Sequence, residues 1–175
     1  MSTNTVVTTW KLDATHSEVE FRVKHLMINN VKGRFRNFDV QVESDGDEFN
    51  SPKISFTAET ASIDTGNEQR DQHLRSAEFF NSEEYPQIIF EGREYAGNKL
   101  HGNLILHGVT KPITLDVEFG GVAKDPWGNK KAGFTISGKI NRKDFGLTWN
   151  AALETGGVLV SEEVKIQAEI QLIQS

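Results

Sequence analysis

The sequence predicts an all-β protein: an eight-stranded antiparallel barrel with one short helix inserted after the third strand. Three observations predict it. Apolar and polar residues alternate with period two in eight separate segments, the pattern of strands with one wet face. Turn-forming residues stand between those segments. A single long interval, Ala58 to Pro86, lacks the alternation.

The first strand runs from His16 to His25, with Val19, Phe21, Val23 and His25 on one face and Glu18, Glu20, Arg22 and Lys24 on the other. The second, residues 31–43, begins with Val31, Gly33 and Phe35 in phase. It continues with Phe38, Val40 and Val42 on the opposite parity. A one-residue slip near Arg36 and Asn37, of the kind a β-bulge introduces, restores the face. Ile54, Phe56 and Ala58 mark the third strand, and Ile88, Phe90 and Gly92 the fourth. Leu100, Gly102, Leu104 and Leu106 mark the fifth; Ile113, Leu115, Val117 and Phe119 mark the sixth. Ala132, Phe134, Ile136, Gly138 and Ile140 mark the seventh, and Val164, Ile166, Ala168, Ile170 and Leu172 the eighth.

The interval Ala58 to Pro86 holds Asp64, Arg70, Asp71, His73 and Arg75 within twelve residues. Thr65 and Glu68 stand at capping-box spacing, which predicts a helix over 66–76. Asp71 and Arg75 are then placed to pair on its surface. Leu74 gives it an apolar contact, Phe79 and Phe80 follow as a plug, and Pro86 ends any helix. So short a helix needs a body to lie against.

Alternation does not separate a barrel from a sandwich. The apolar faces carry Gly33, Ala58, Gly92, Gly102, Ala132, Gly138 and Ala168 among large side chains. Glycine within strands permits the coiling that closure needs. Small inward side chains also leave volume, and eight strands can hold side chains or one small ligand. Spacing leaves open whether these residues shape a cavity or only relieve crowding in a filled core.

The 175 residues, 37% of them hydrophobic, suit one domain spanning the chain, with residues 1–9 as a loose N-terminal tail. A net charge of -6 with lysines and arginines scattered along the chain argues against a nucleic-acid partner. Absent cysteine excludes disulfides, thiolate nucleophiles and cysteine metal sites. The opening MSTNTVVTTW has neither a basic nor an apolar leader region, so the expected location is cytoplasmic, or periplasmic where a leader has been removed. No apolar run reaches membrane-spanning length. No HExxH, GxGxxG or GxSxG pattern occurs, and no metal or cofactor is expected. His25 stands on an apolar face at a strand end, either as a core histidine bonded to main chain or as a polar group at a cavity mouth. The segment 141–150, with Arg142 and Trp149, reads as a structured loop with Trp149 as a lid on the core, or as a mouth element supplying Arg142.

Several segments together resemble one family. They are Leu12-Asp13, His16-Ser17 with Val19-x-Phe21-x-Val23-x-His25-Leu26, and Ala61 to Asn67. Arg70-Asp71-x-His73-Leu74-Arg75-Ser76 with Phe79-Phe80, Tyr85-Pro86 and Gly108 to Pro112 continue the match. Asn141-Arg142-x-Asp144-Phe145-Gly146-Leu147 and Trp149-Asn150 complete it. The chain resembles the YceI-like, polyisoprenoid-binding family from about Trp10 to Ile173. The resemblance implies a lipocalin-like barrel around a long apolar pocket and a homodimer. It also implies a bound isoprenoid or fatty chain with a polar head group. The expected task is storage, transport or sequestration of that lipid. On that reading Phe21, Val23, Phe56, Phe90, Leu104, Leu115, Val117, Phe134, Ile136, Trp149 and Ile166 line the tail, and His25, Asp64, Arg70, His73, Arg75 and Arg142 meet the head group. The expectation is a binding protein. The alternative is an enzyme for a lipid-like or quinone substrate, with His25 and Asp64 or Asp71 as acid/base pair.

Overall fold

A computed structural model describes residues 7–25, 28–45, 50–148 and 160–174. Eleven strands join in one antiparallel sheet: β1 (Val7–Leu12), β2 (Glu18–His25), β3 (Asn29–Phe35), β4 (Phe38–Asp45), β5 (Asn50–Glu59), β6 (Ile63–Asp64), β7 (Gln87–Ala96), β8 (Lys99–Leu106), β9 (Val109–Lys124), β10 (Lys130–Asn141) and β11 (Glu163–Gln174). The one α-helix, α1, spans Glu68–Arg75 between β6 and β7. Eight of the strands close a ring in the order β1-β4-β5-β7-β8-β9-β10-β11 and back to β1.

The expected barrel is present, with one change in its membership. Residues 7–9, expected in a loose tail, belong to β1, which closes the ring between β4 and β11. Alternation marks them weakly, because Thr8 is an inward residue of β1. Trp10 anchors the strand: it is fully buried and its indole N–H donates to Ser44 Oγ at 3.0 Å. Beyond β1 the chain kinks at 13–17 and continues as β2 along the same edge of β11. Asp13 fastens the kink. Its amide donates to the Gln171 carbonyl at 2.8 Å, and its carboxylate accepts from Lys131 Nζ at 2.9 Å and Thr15 Oγ1 at 2.8 Å.

The parity change at Arg36 and Asn37 is real, but it is no bulge inside one ladder. β3 pairs with β2 and β6, whereas β4 pairs with β1 and β5. The chain passes from one partner set to the other there, so the face resets at a strand break. The wall therefore forks. One end of the barrel is the tight eight-strand ring, filled by Trp10, Val40, Val42, Ala132, Ile170 and Leu172. At the other end β2, β3, β6 and α1 extend the wall.

Inward glycines serve as seats for rings. A Cβ at Gly33 would strike the end of the Phe21 ring, and one at Gly102 would meet Phe90 Cζ at 2.6 Å and the Glu91 carbonyl oxygen. Phe21 and Phe90 thus lie flat against the wall and do not cross the interior, which keeps the middle of the barrel open.

α1 is shorter than the expected 66–76, and its cap differs. Asn67, not Thr65, is the N-cap, with Asn67 Oδ1 accepting from the Arg70 amide at 3.0 Å. Asp71 is buried and accepts from the amide and hydroxyl of Thr65, at 2.9 and 2.5 Å. It therefore does not form the expected surface pair with Arg75. The carboxylate instead ties the helix to Thr65, just past β6, and two donors satisfy a buried charge more fully than one half-buried arginine would.

Candidate ligand-binding cavity

The open middle of the barrel is a cavity of about 400 Å³. Residues of one parity build its wall strand by strand, because alternate side chains share a face. Phe21, Val23, Phe56, Phe90, Leu104, Leu115, Val117, Phe134, Ile136 and Ile166 all line it. Trp149, expected among them, lies outside the described residues. Leu74, Phe79 and Phe80 of α1 and its following turn also line it, as does Leu147. Sequence periodicity gave no sign of these four as wall residues, since none lies on a strand. Phe35, Ile113, Ile140 and Val164 line it too, and their parity did mark them.

Apart from Glu20, partway along β2, the few polar linings gather at the forked end. His25 ends β2 and bridges to Val160. Its ring makes no hydrogen bond among the described residues. Arg70 lines the cavity from α1. Its Nε donates to Thr65 Oγ1 at 2.7 Å and its Nη2 to the Thr65 carbonyl at 2.6 Å, leaving Nη1 without a partner among the described residues. The guanidinium is thereby aimed by main chain while part of its fork stays available. His73 lies 2.5 Å from Glu78 Oε2 by its Nε2 and stands edge-on to Phe79, with centroids 5.1 Å apart.

Three expected head-group residues behave otherwise. Arg142 borders the cavity, yet it is 3% exposed and its guanidinium donates to the carbonyls of Leu147, Ser161 and Val160 at 2.7, 2.9 and 3.3 Å. Burial pushes its pKa down from the usual arginine value, with Glu162 acting in the other direction. It is a brace between the turn after β10 and the start of the last strand. Asp64 is not among the lining residues. It accepts from the Gly66 amide at 2.9 Å and from Arg36 Nε at 2.6 Å, and those two bonds hold its carboxyl below the usual carboxylate range. Arg75 is also absent from the lining, and donates to the Ala61 carbonyl at 3.0 Å and Glu68 at 3.2 Å. Asp64 and Asp71 both have their carboxylates engaged elsewhere. The acid/base pairing of His25 with either one is not assembled.

The YceI-like domain profile matches residues 10–172. The chain belongs to the YceI-like family. It is 43% identical over 166 residues to a UPF0312 protein of Staphylococcus aureus strain N315, covering 94% of this chain and 97% of that one. A Campylobacter jejuni YceI protein of known crystal structure is 34% identical, with a TM-score of 0.74 over 100% of this chain and 99% of that chain. A polyisoprenoid binding domain from Saccharophagus degradans, 16% identical, shares the fold with a TM-score of 0.72 over 95% of this chain and 98% of that chain.

Proposed function

We propose that this family member binds a long-chain isoprenoid or a similar amphiphilic lipid, for storage, transport or sequestration. The tail lies along the apolar wall, and the head group meets His25, Arg70 and His73 at the forked end. One observation carries the reading: a cavity of about 400 Å³ whose lining is almost wholly apolar, with all its polar groups but Glu20 at one end. That distribution matches an amphiphile and suits a small polar metabolite badly. The fold shared with a polyisoprenoid binding domain supports it. Burying a chain contributes roughly 0.8 kcal/mol per methylene, so about ten methylenes supply on the order of 8 kcal/mol before entropic costs. Micromolar affinity then needs no covalent step.

The test is mass spectrometry of the organic extract of protein purified from its native cells, alongside calorimetric titration of stripped protein with a prenyl alcohol. A stoichiometric long-chain lipid and saturable binding are expected. Protein that carries no lipid and shows no heat with the prenyl alcohol would refute the assignment.

A further inference from the structure

Lysines and arginines are scattered along the sequence, but strand register gathers some of them. Lys32 of β3 lies opposite Arg22 of β2, Arg22 opposite Lys165 of β11, and Lys165 opposite Lys139 of β10. Four cations thus stand in one row across four neighbouring strands, all on the exposed outer face. Like charges placed directly opposite one another destabilise a sheet. Lys32 is relieved by Glu20, whose carboxylate lies at 2.9 Å; Arg22, Lys139 and Lys165 have no ion-pair partner among the described residues. The row borders a surface groove lined by Arg22, Lys139 and Lys165, with the carboxylates of Glu20 and Asp116 on its far side toward the anionic row.

The same face carries an opposite row. Glu18 lies opposite Glu169, Glu169 opposite Thr135, and Thr135 opposite Glu118. Four residue steps along β11 separate Lys165 from Glu169, roughly 13 Å at the usual strand rise. The cationic row lies toward His25, at the end where the polar cavity residues are; beyond it on this face stand one further cation, Lys24, and one carboxylate, Glu163, both exposed, so that end stays net positive. The anionic row lies toward the tight ring. In a chain of net charge -6, one end of this face is therefore positive and the other negative.

We propose that the Lys32–Arg22–Lys165–Lys139 row docks the barrel, forked end first, on an anionic phospholipid bilayer. Charge complementarity selects an anionic surface, and the anionic row turns the tight end away from it. Phe21, Val23 and Ile166 on the inner side of these same strands line the cavity, so docking brings the cavity wall to the bilayer surface. The choice of a bilayer over another polyanion rests on the cavity holding an amphiphilic lipid; the cation row does not depend on it.

The experiment is flotation of the full chain with vesicles of phosphatidylcholine alone, or with about a third phosphatidylglycerol. The wild type is compared with the double variant Lys139→Gln/Lys165→Gln and with Trp127→Ala, whose exposed indole sits on the β9–β10 turn at the opposite end. Binding to the anionic vesicles only, lost at high salt and weakened about thirty-fold in the double variant, is expected. The double variant should melt no lower than wild type, because it removes like-charge neighbours. Equal binding to both vesicles, or an unweakened double variant, overturns the proposal. Dependence on Trp127 instead places the contact at the wrong end and also overturns it. Retention on an acidic oligonucleotide at salt that releases the vesicles assigns the row to a polyanion other than lipid and overturns it too. Prenyl-alcohol titration of the same proteins separates the two readings. Flotation without titration heat removes the cavity assignment, and heat without flotation removes the docking surface.

Discussion

Arg142 is where the charge of a residue and its use part company. Arg142→Met keeps the length and apolar stem of the side chain and removes the guanidinium. Three carbonyls then lose a charged donor. The bond to the Leu147 carbonyl is buried and contributes about 2 kcal/mol, as charge-assisted bonds do. Those to Ser161 and Val160 are only part-buried, so water replaces the donor and each contributes roughly 0.5 kcal/mol. Removing a buried charge refunds some desolvation, so the net loss is about 2–3 kcal/mol. For a domain of this length that lowers the melting temperature by roughly 5–10 °C. Arg142→Lys should not restore it, because one ammonium cannot serve three carbonyls as a planar fork does. The assay is thermal unfolding by circular dichroism, with calorimetric affinity for a prenyl phosphate and the matching prenyl alcohol. The ratio of those two affinities should stay constant in both variants. A melting temperature within 2 °C of wild type, together with selective loss of the phosphate ligand, would show that Arg142 binds the head group and that the brace argument is wrong.

Arg70→Met should do the converse: a melting temperature within about 2 °C of wild type and about five-fold weaker binding of the prenyl phosphate alone, since an exposed charge-assisted contact contributes roughly 1 kcal/mol; equal losses for phosphate and alcohol in titration would remove it from the head-group site. Gly102→Ala should be severely destabilising in urea unfolding, because its Cβ meets the Glu91 carbonyl, which is main chain and cannot swing away. Gly33→Ala meets only the Phe21 ring, so it should unfold closer to wild type but bind both ligands more weakly as the ring turns into the cavity; unaltered affinity would contradict the seat argument. For Asp13, burial alone would raise the carboxyl pKa, but hydrogen bonds from Lys131, Thr15 and His16 outweigh it and hold the group well below the usual carboxylate range. A depressed folded pKa gives stability that is present above the unfolded value, near 3.9, and is lost as pH falls toward the folded one. Asp13→Asn should therefore lie about 2 kcal/mol below wild type at pH 7, with the gap narrowing below about pH 4 in urea midpoints; a gap independent of pH would mean the carboxylate charge is irrelevant.

The strands were legible from sequence because period-two alternation is local: a residue two positions away shares a face whatever pairs with the strand. Ten of the eleven residues expected along the tail could be read as cavity wall for that reason, and the glycines marked a curved wall. Pairing is not local. That Val7–Leu12 closes the ring, that 29–35 and 38–45 take different partners, and that the wall forks between them follow from contacts far apart in the chain. The site was legible only in part. Arg70, Arg75 and Arg142 are equally charged in sequence, and what separates them is which carbonyl or carboxylate the fold sets in front of each guanidinium. Thr65 captures Asp71 and steers Arg70; Ala61 and Glu68 draw Arg75 away; Leu147, Val160 and Ser161 consume Arg142. The cation row has the same origin. Lys32, Arg22, Lys165 and Lys139 are dispersed over more than a hundred residues, and only antiparallel register, which sets residues face to face across strands irrespective of their distance in the chain, makes them neighbours.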